Sequence, residues 1–215
     1  PEIEILEGTP ENNSVKKDFV LNVSASDEES NVSLFIDDGS LVSWWRMDDV
    51  EGSKLVDYTG RNNGTIYGDA KQVDDGAIGK AMEFGKRGDY SISNDFFLNS
   101  TNFSVNIFVN YRSFLDYSVP ISSKGFVIIG STPYAYGWGF RNGYLSNRVQ
   151  FSIATNNTLH ATTPYYALDK DKWYMLTGLY DSFSKSISFY VDGIFVGSAS
   201  NPNLVYSGVS GISFS

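Results

Sequence analysis

The side chains that could do chemistry fall into three sets. Asp48, Asp57, Asn62 and Asp89, with Asn63 beside them, sit at turns and strand ends between Leu41 and Ile92. Hard cations such as calcium are held by carboxylate, amide and carbonyl oxygens gathered from loops, so these residues are the candidate calcium ligands. The same side chains also serve as turn formers, through bonds from side chain to backbone. Tyr134, Tyr136, Trp138 and Arg141, followed by Tyr165 and Tyr166 in the Pro164 loop, offer rings to lie on sugar faces and a guanidinium to reach hydroxyls. Trp138 and Phe140 are assigned to the core, whereas Tyr134, Arg141, Tyr165 and Tyr166 are expected at the surface as the glycan-binding set.

The third set concerns catalysis, and it is thin. Two carboxylates at alternate positions on a strand would suit glycoside hydrolysis. Glu2-Ile3-Glu4 has that spacing, but it reads as the solvated side of a strand whose apolar side is Ile3 and Ile5. Asp48-Asp49 and Asp74-Asp75 are adjacent and would point to opposite faces of a strand. His160, the single histidine, has no neighbouring nucleophile in sequence. No catalytic residue is assigned, and the chain is read as a non-enzyme.

Composition narrows the classes further. A net charge of −9 argues against nucleic-acid binding, which needs a basic face. There is no cysteine, which removes thiol nucleophiles, thiolate metal sites and disulfides together. No apolar run approaches the ~20 residues of a membrane span. No signal peptide is evident, and Pro1-Glu2 reads as a mature or excised start. Sequons at Asn12, Asn22, Asn31, Asn63, Asn99, Asn102 and Asn156 favour a glycosylated protein at the cell surface.

The elements that must position these residues are strands. The chain holds 15 Phe, 14 Tyr and 20 Gly, and apolar residues alternate rather than recur at helical spacing. Phe103, Val105, Ile107, Val109 and Tyr111 share one strand face. Val149, Phe151 and Ile153 share another. Ile187 to Val196 is a hairpin closed by Asp192-Gly193, the favoured pair for a type I′ turn. The fold class is all-β, an antiparallel sandwich. Residues 1–40 differ: Glu2–Leu6, Phe19–Ala25 and Val32–Ile36 read as three short strands resembling the opening of an immunoglobulin-like domain. The expected division is 1–40 and 41–215.

From Leu41 onward the chain resembles the laminin-G-like, concanavalin-A-like jelly-roll family. The resemblance rests on Trp44-Trp45-Arg46-Met47-Asp48, Asp57-Tyr58-Thr59-Gly60 with Asn63-Gly64-Thr65, and Gly79-Lys80-Ala81-Met82-Glu83-Phe84-Gly85. Gly88-Asp89-Tyr90, Lys172-Trp173-Tyr174 and Tyr190-Val191-Asp192-Gly193 complete it. It implies an extracellular carbohydrate-binding or adhesive module, often with a structural calcium ion, of the kind prokaryotic surface proteins carry beside immunoglobulin-like repeats. Its implied partners are glycans or cell-surface proteins. Family members add a further strand where this chain stops at Gly211-Ile212-Ser213-Phe214-Ser215, which leaves open a sandwich without its last strand. Either the chain is a segment of something longer, or a strand from residues 1–40 or from a neighbouring subunit fills the gap, the latter being self-association by strand addition. Two rival readings stand beside this one: a structural subunit of a surface layer or filament, and a carbohydrate-binding appendage of a polysaccharide-degrading enzyme.

Overall fold

Between Trp173 and Asp181 every second side chain is buried, and this two-residue period governs the whole architecture. The computed structural model describes residues 2–5, 23–26, 40–85, 89–98, 102–114, 119–123, 127–129, 132–134, 137–142, 147–155, 158–201 and 209–215. Two compact units divide the chain, Pro1–Leu41 and Val42–Ser215. In the first, Glu2–Ile5 pairs antiparallel with Val23–Ser26, Ile3 opposite Ala25 and Ile5 opposite Val23. The third strand expected there, at Val32–Ile36, lies outside the described residues.

The second unit is built on two antiparallel sheets. The smaller runs in the order Ile194–Ser200, Ser186–Val191, Trp173–Asp181, Asn102–Asn110. In the larger, Thr158–Thr162, Arg148–Thr155, Gly137–Asn142, Ile121–Ser123, Val209–Phe214, Tyr90–Leu98 and Gly64–Tyr67 lie side by side, with two short strands beyond. The described residues contain no helix, and hence none long and apolar enough to cross a membrane. The final strand, Val209–Phe214, is hydrogen-bonded on both sides, by Tyr90–Leu98 and by Ile121–Ser123. It therefore occupies an interior position of its sheet rather than an edge.

Apolar residues from both sheets meet in one core. Trp138, Phe140, Phe151 and Ile153 project from the larger sheet; Leu176, Ile187 and Phe189 come from the smaller, all fully buried. Ring centroids lie 5.1 Å apart for Phe140–Phe151, side by side in the larger sheet, and 5.8 Å for Phe140–Phe189, a pair that bridges the two layers. Trp138 and Phe140 are thus core residues, as expected. Of the adjacent tryptophans, Trp45 packs on Phe214 at 5.3 Å, while Trp44 turns to Tyr58 at 5.1 Å. The hairpin closes as its sequence dictates, with positive φ at Asp192 (51°) and Gly193 (77°).

Candidate functional site

Where strand Asn102–Asn110 ends, the chain turns through Tyr111 and Phe114. The Tyr111 hydroxyl donates to Asn142 Oδ1 (2.9 Å), and its ring stacks on Phe114 at 5.2 Å. Opposite, Asn147 and Leu168 tie two loops together: Asn147 Nδ2 donates to the Leu168 carbonyl, and the Leu168 N–H to the Asn147 carbonyl, both at 2.8 Å. Asp169 accepts from the Tyr174 hydroxyl at 3.2 Å, and Lys170 Nζ stands 5.9 Å above the Phe114 ring. Phe114, Asn147, Leu168, Asp169 and Lys170 line an open cleft of about 500 Å³. Such a volume holds a small ligand, and the lining combines one apolar ring with an amide, a carboxylate and an ammonium group.

Nothing in the sequence singles these residues out. Asp169-Lys170-Asp171-Lys172 reads as an ordinary solvated turn before a strand. The lining comes from separate loops that only the fold brings together.

Beside the cleft, Tyr166 pairs with Val149, two residues from Asn147. Tyr165 and Tyr166 are exposed (45% and 38%), as expected of them. Arg141 is not: it is buried, which corrects the expectation of surface exposure. The reason is its cross-strand partner, Gln150. With its amide assigned in the orientation that matches its neighbours, Gln150 Oε1 accepts from Arg141 Nε (2.6 Å), Arg141 Nη2 (2.5 Å) and the Tyr165 hydroxyl (3.1 Å), and its Nε2 donates to the Thr163 carbonyl (3.2 Å). The guanidinium thus braces the amide that in turn holds Tyr165. Tyr134 pairs with Val127 in a short hairpin, and its side chain lies outside what the structure describes, as does that of His160.

The four calcium candidates do not converge. Asp57 is buried and accepts from the N–H groups of Trp44 (2.7 Å), Thr59 (3.1 Å) and Asn62 (2.9 Å) and from the Thr59 hydroxyl (2.6 Å). Burial, the largest single influence, raises its pKa, but the bonds from Thr59, Trp44 and Asn62 together outweigh it and hold the carboxyl below the usual range. Asn62 Nδ2 donates to Ser43 Oγ (2.6 Å), and Asn63 Oδ1 accepts from the Asp57 N–H (3.0 Å). Asp89 accepts from the N–H groups of Asp69 (2.8 Å) and Gly85 (3.0 Å), and Asp48 from Lys80 N (2.7 Å) and Arg46 (2.9 Å). Among the described residues no three acidic or histidine side chains gather as a metal site. As arranged, the set does not fit a calcium ion: the carboxylate oxygens of Asp48, Asp57 and Asp89 face N–H and O–H donors.

Two sequons fall among the described residues. Asn63 is exposed, as is Thr65 of the same sequon. Asn102 is exposed and accepts from Ser182 N (2.9 Å). Asn12, Asn22, Asn31, Asn99 and Asn156 lie outside the described residues.

The solved structures include relatives of this fold. A mutant of HCR/D superposes with a TM-score of 0.59 at 16% identity, over 80% of this chain and 42% of that one. The binding domain of botulinum neurotoxin serotype D gives 0.53 at 16%, over 76% and 41%. Domain 4 of AbnA, an extracellular arabinanase from Geobacillus stearothermophilus solved with arabinotriose, gives 0.53 at 17%, over 74% and 76%. The chain thus spans less than half the length of the HCR/D and neurotoxin structures. At these identities the likeness is one of fold. No curated protein matches the sequence. Residues 84–212, more than half of the chain, match a laminin-G-type family model described as the concanavalin A-like lectin/glucanases superfamily, and with the two-sheet architecture above, this chain belongs to that superfamily.

Proposed function

We propose that the 42–215 unit is a non-catalytic glycan-binding module and that its ligand enters the cleft of Phe114, Asn147, Asp169 and Lys170. The observation that carries this is the lining itself. Sugars present apolar C–H faces ringed by hydroxyls, and the cleft sets one aromatic ring among an amide, a carboxylate and an ammonium. The exposed Tyr165 and Tyr166 extend the aromatic surface beside it. The arabinotriose held by the AbnA domain supports the class of ligand. Asp169 is the one carboxylate in the lining, and it is bonded to Tyr174, whereas glycoside hydrolysis works with a pair.

A glycan array carrying arabinotriose and sialylated oligosaccharides tests this. At least one glycan is expected to bind, and Phe114→Ala is expected to weaken that binding about 10-fold, the worth of one stacked ring. Binding unaffected by Phe114→Ala would move the site elsewhere. Self-association with no sugar bound would favour the structural-subunit reading.

The Asp57 loop makes a separate prediction. Because N–H donors hold its oxygens, thermal melting with and without EDTA is expected to give the same Tm. A fall in Tm on chelation would assign a structural cation to the module.

A further inference from the structure

Two neighbouring amides close the Asp57 loop in opposite senses. Asn62 is buried, and its nitrogen is used inside: Nδ2 donates to Ser43 Oγ (2.6 Å) and to the Val42 carbonyl (3.3 Å). Asn63 is exposed and turned the other way. Its Oδ1 accepts from the Asp57 N–H at 3.0 Å, so the amide is pinned by its oxygen. Its Nδ2 donates to no group among the described residues. An amide nitrogen held in place, on the exposed side of a fixed loop, is a group available for covalent linkage.

The residues that follow fit the same reading. Asn63-Gly64-Thr65 is an acceptor sequence for an N-linked glycan. The chain alternates as it enters strand Gly64–Tyr67, so Asn63 and Thr65 are exposed while Gly64 between them is buried. A β-carbon at Gly64 would meet Ser91 Oγ at 3.0 Å and Leu55 Cβ at 3.4 Å, so the middle residue is fixed by the packing beneath it. The outer side of the loop is open. A β-carbon at Gly60, whose φ is +74°, would have nothing within 4 Å, and Tyr58 is 62% exposed. Bulk attached at Asn63 Nδ2 therefore has solvent to occupy, and the groups that hold the loop lie on its other side.

We propose that Asn63 is a glycan attachment site, independent of the cleft and of what the cleft binds. The donor is a lipid-linked oligosaccharide. Nδ2 bonds to the anomeric carbon, the lipid phosphate leaves with the electron pair of the broken C–O bond, and Nδ2 gives up one proton. The link forms before the sheet closes, because Thr65 in the folded protein is paired with Lys54 on one side and Ile92 on the other. The product is still a neutral amide whose Oδ1 keeps its lone pairs, so the bond from the Asp57 N–H survives and the fold closes around the modified residue unchanged. The attached sugars then cover the loop that ties Trp45 to the core edge through the Asn62 carbonyl.

Secretion of the whole chain from yeast, followed by mass mapping of the peptide that carries Asn63, tests the proposal. Most copies of that peptide are expected to carry a glycan. Thr65→Ala removes the hydroxyl that the acceptor sequence requires but leaves the Asn63–Asp57 bond in place, and it should abolish the modification. Thr65→Ser should retain it. A peptide-N-glycosidase in heavy-oxygen water should release the glycan from the folded protein without denaturant, marking Asn63 as a labelled aspartate. Tm should be the same before and after release, since an oxygen accepts from the Asp57 N–H in both forms. The proposal is overturned by an unmodified peptide in the parent or by a glycan that persists in Thr65→Ala. Release that needs denaturant would also overturn it, by placing Nδ2 inside, as would a Tm that rises on release, which would mean that the loop does not accommodate the sugar.

Discussion

Gly178→Ala is expected to destabilise the protein by about 3 kcal/mol, lowering Tm by about 6–12 °C for a chain of this size. Gly178 lies in the middle of strand Trp173–Asp181 on its buried side, between Leu176 and Tyr180. A β-carbon built there would meet the Phe151 ring at 2.6 Å from both Cδ2 and Cε2. Phe151 is fully buried and packs on Phe140, so the ring cannot swing aside without disturbing the layer between the sheets. Backbone entropy works in the opposite direction: an alanine in an extended strand would stabilise by roughly 0.5–1 kcal/mol if space allowed. Steric overlap therefore decides the sign. The companion variant Gly178→Ala/Phe151→Leu removes the ring that the new methyl meets and should lose less stability than the sum of its parts, by about 1 kcal/mol or more. Chemical denaturation of the four proteins of this cycle measures it. A single variant within about 1 kcal/mol of the parent would show that the two sheets yield more readily than the Phe151 packing implies.

Gly178 also shows which parts of the molecule can be read from sequence. The alternation of Phe103, Val105, Ile107 and Val109, the Asp192-Gly193 turn and the burial of Trp138 and Phe140 all follow from local period and turn chemistry, and the structure has each of them. A glycine inside a strand pattern signals a close approach of some other group, but not which one. That the group is Phe151 depends on how two sheets stack. The surface residues are harder still. Arg141 looks like a free cation in sequence, yet Gln150, nine positions away, faces it across a strand pair and draws it inward. Phe108 breaks the alternation of its own strand, an apolar residue on the polar side, and only the sheet register shows that it faces Met175 there. The cleft draws on Phe114, Asn147 and Asp169, which no spacing rule connects.

Asp57→Ala is expected to cost about 3–5 kcal/mol, a large share of the ~5–15 kcal/mol that holds a domain folded. Three backbone N–H groups and one hydroxyl end on this buried carboxylate, and alanine would strand them all. Asp57→Asn keeps the shape but replaces one accepting oxygen with a donor that faces other donors, so it should fall between alanine and the parent. The loop matters beyond itself. Trp45 Nε1 donates to the Asn62 carbonyl at 2.9 Å while the same indole packs on Phe214, so loosening residues 57–63 loosens the edge of the core. The pH dependence has a definite sign. The folded-state pKa of Asp57 lies below its unfolded value of 3.8, so its contribution is complete above that value and is lost as pH falls through the folded-state pKa. Wild-type Tm should therefore drop on acidification below about pH 4, and Asp57→Asn, starting lower at neutral pH, should show a flatter acid limb. Asp181 is the control. Its carboxyl is also held low, first by the Ser184 hydroxyl and then by the Phe183 N–H, but it stands exposed where solvent competes for both. Asp181→Asn should leave the acid limb nearly as steep as in the parent. Equal flattening by the two variants would mean that acid stability follows total charge, and the bonded loop at Asp57 would then not be what anchors this edge of the sandwich.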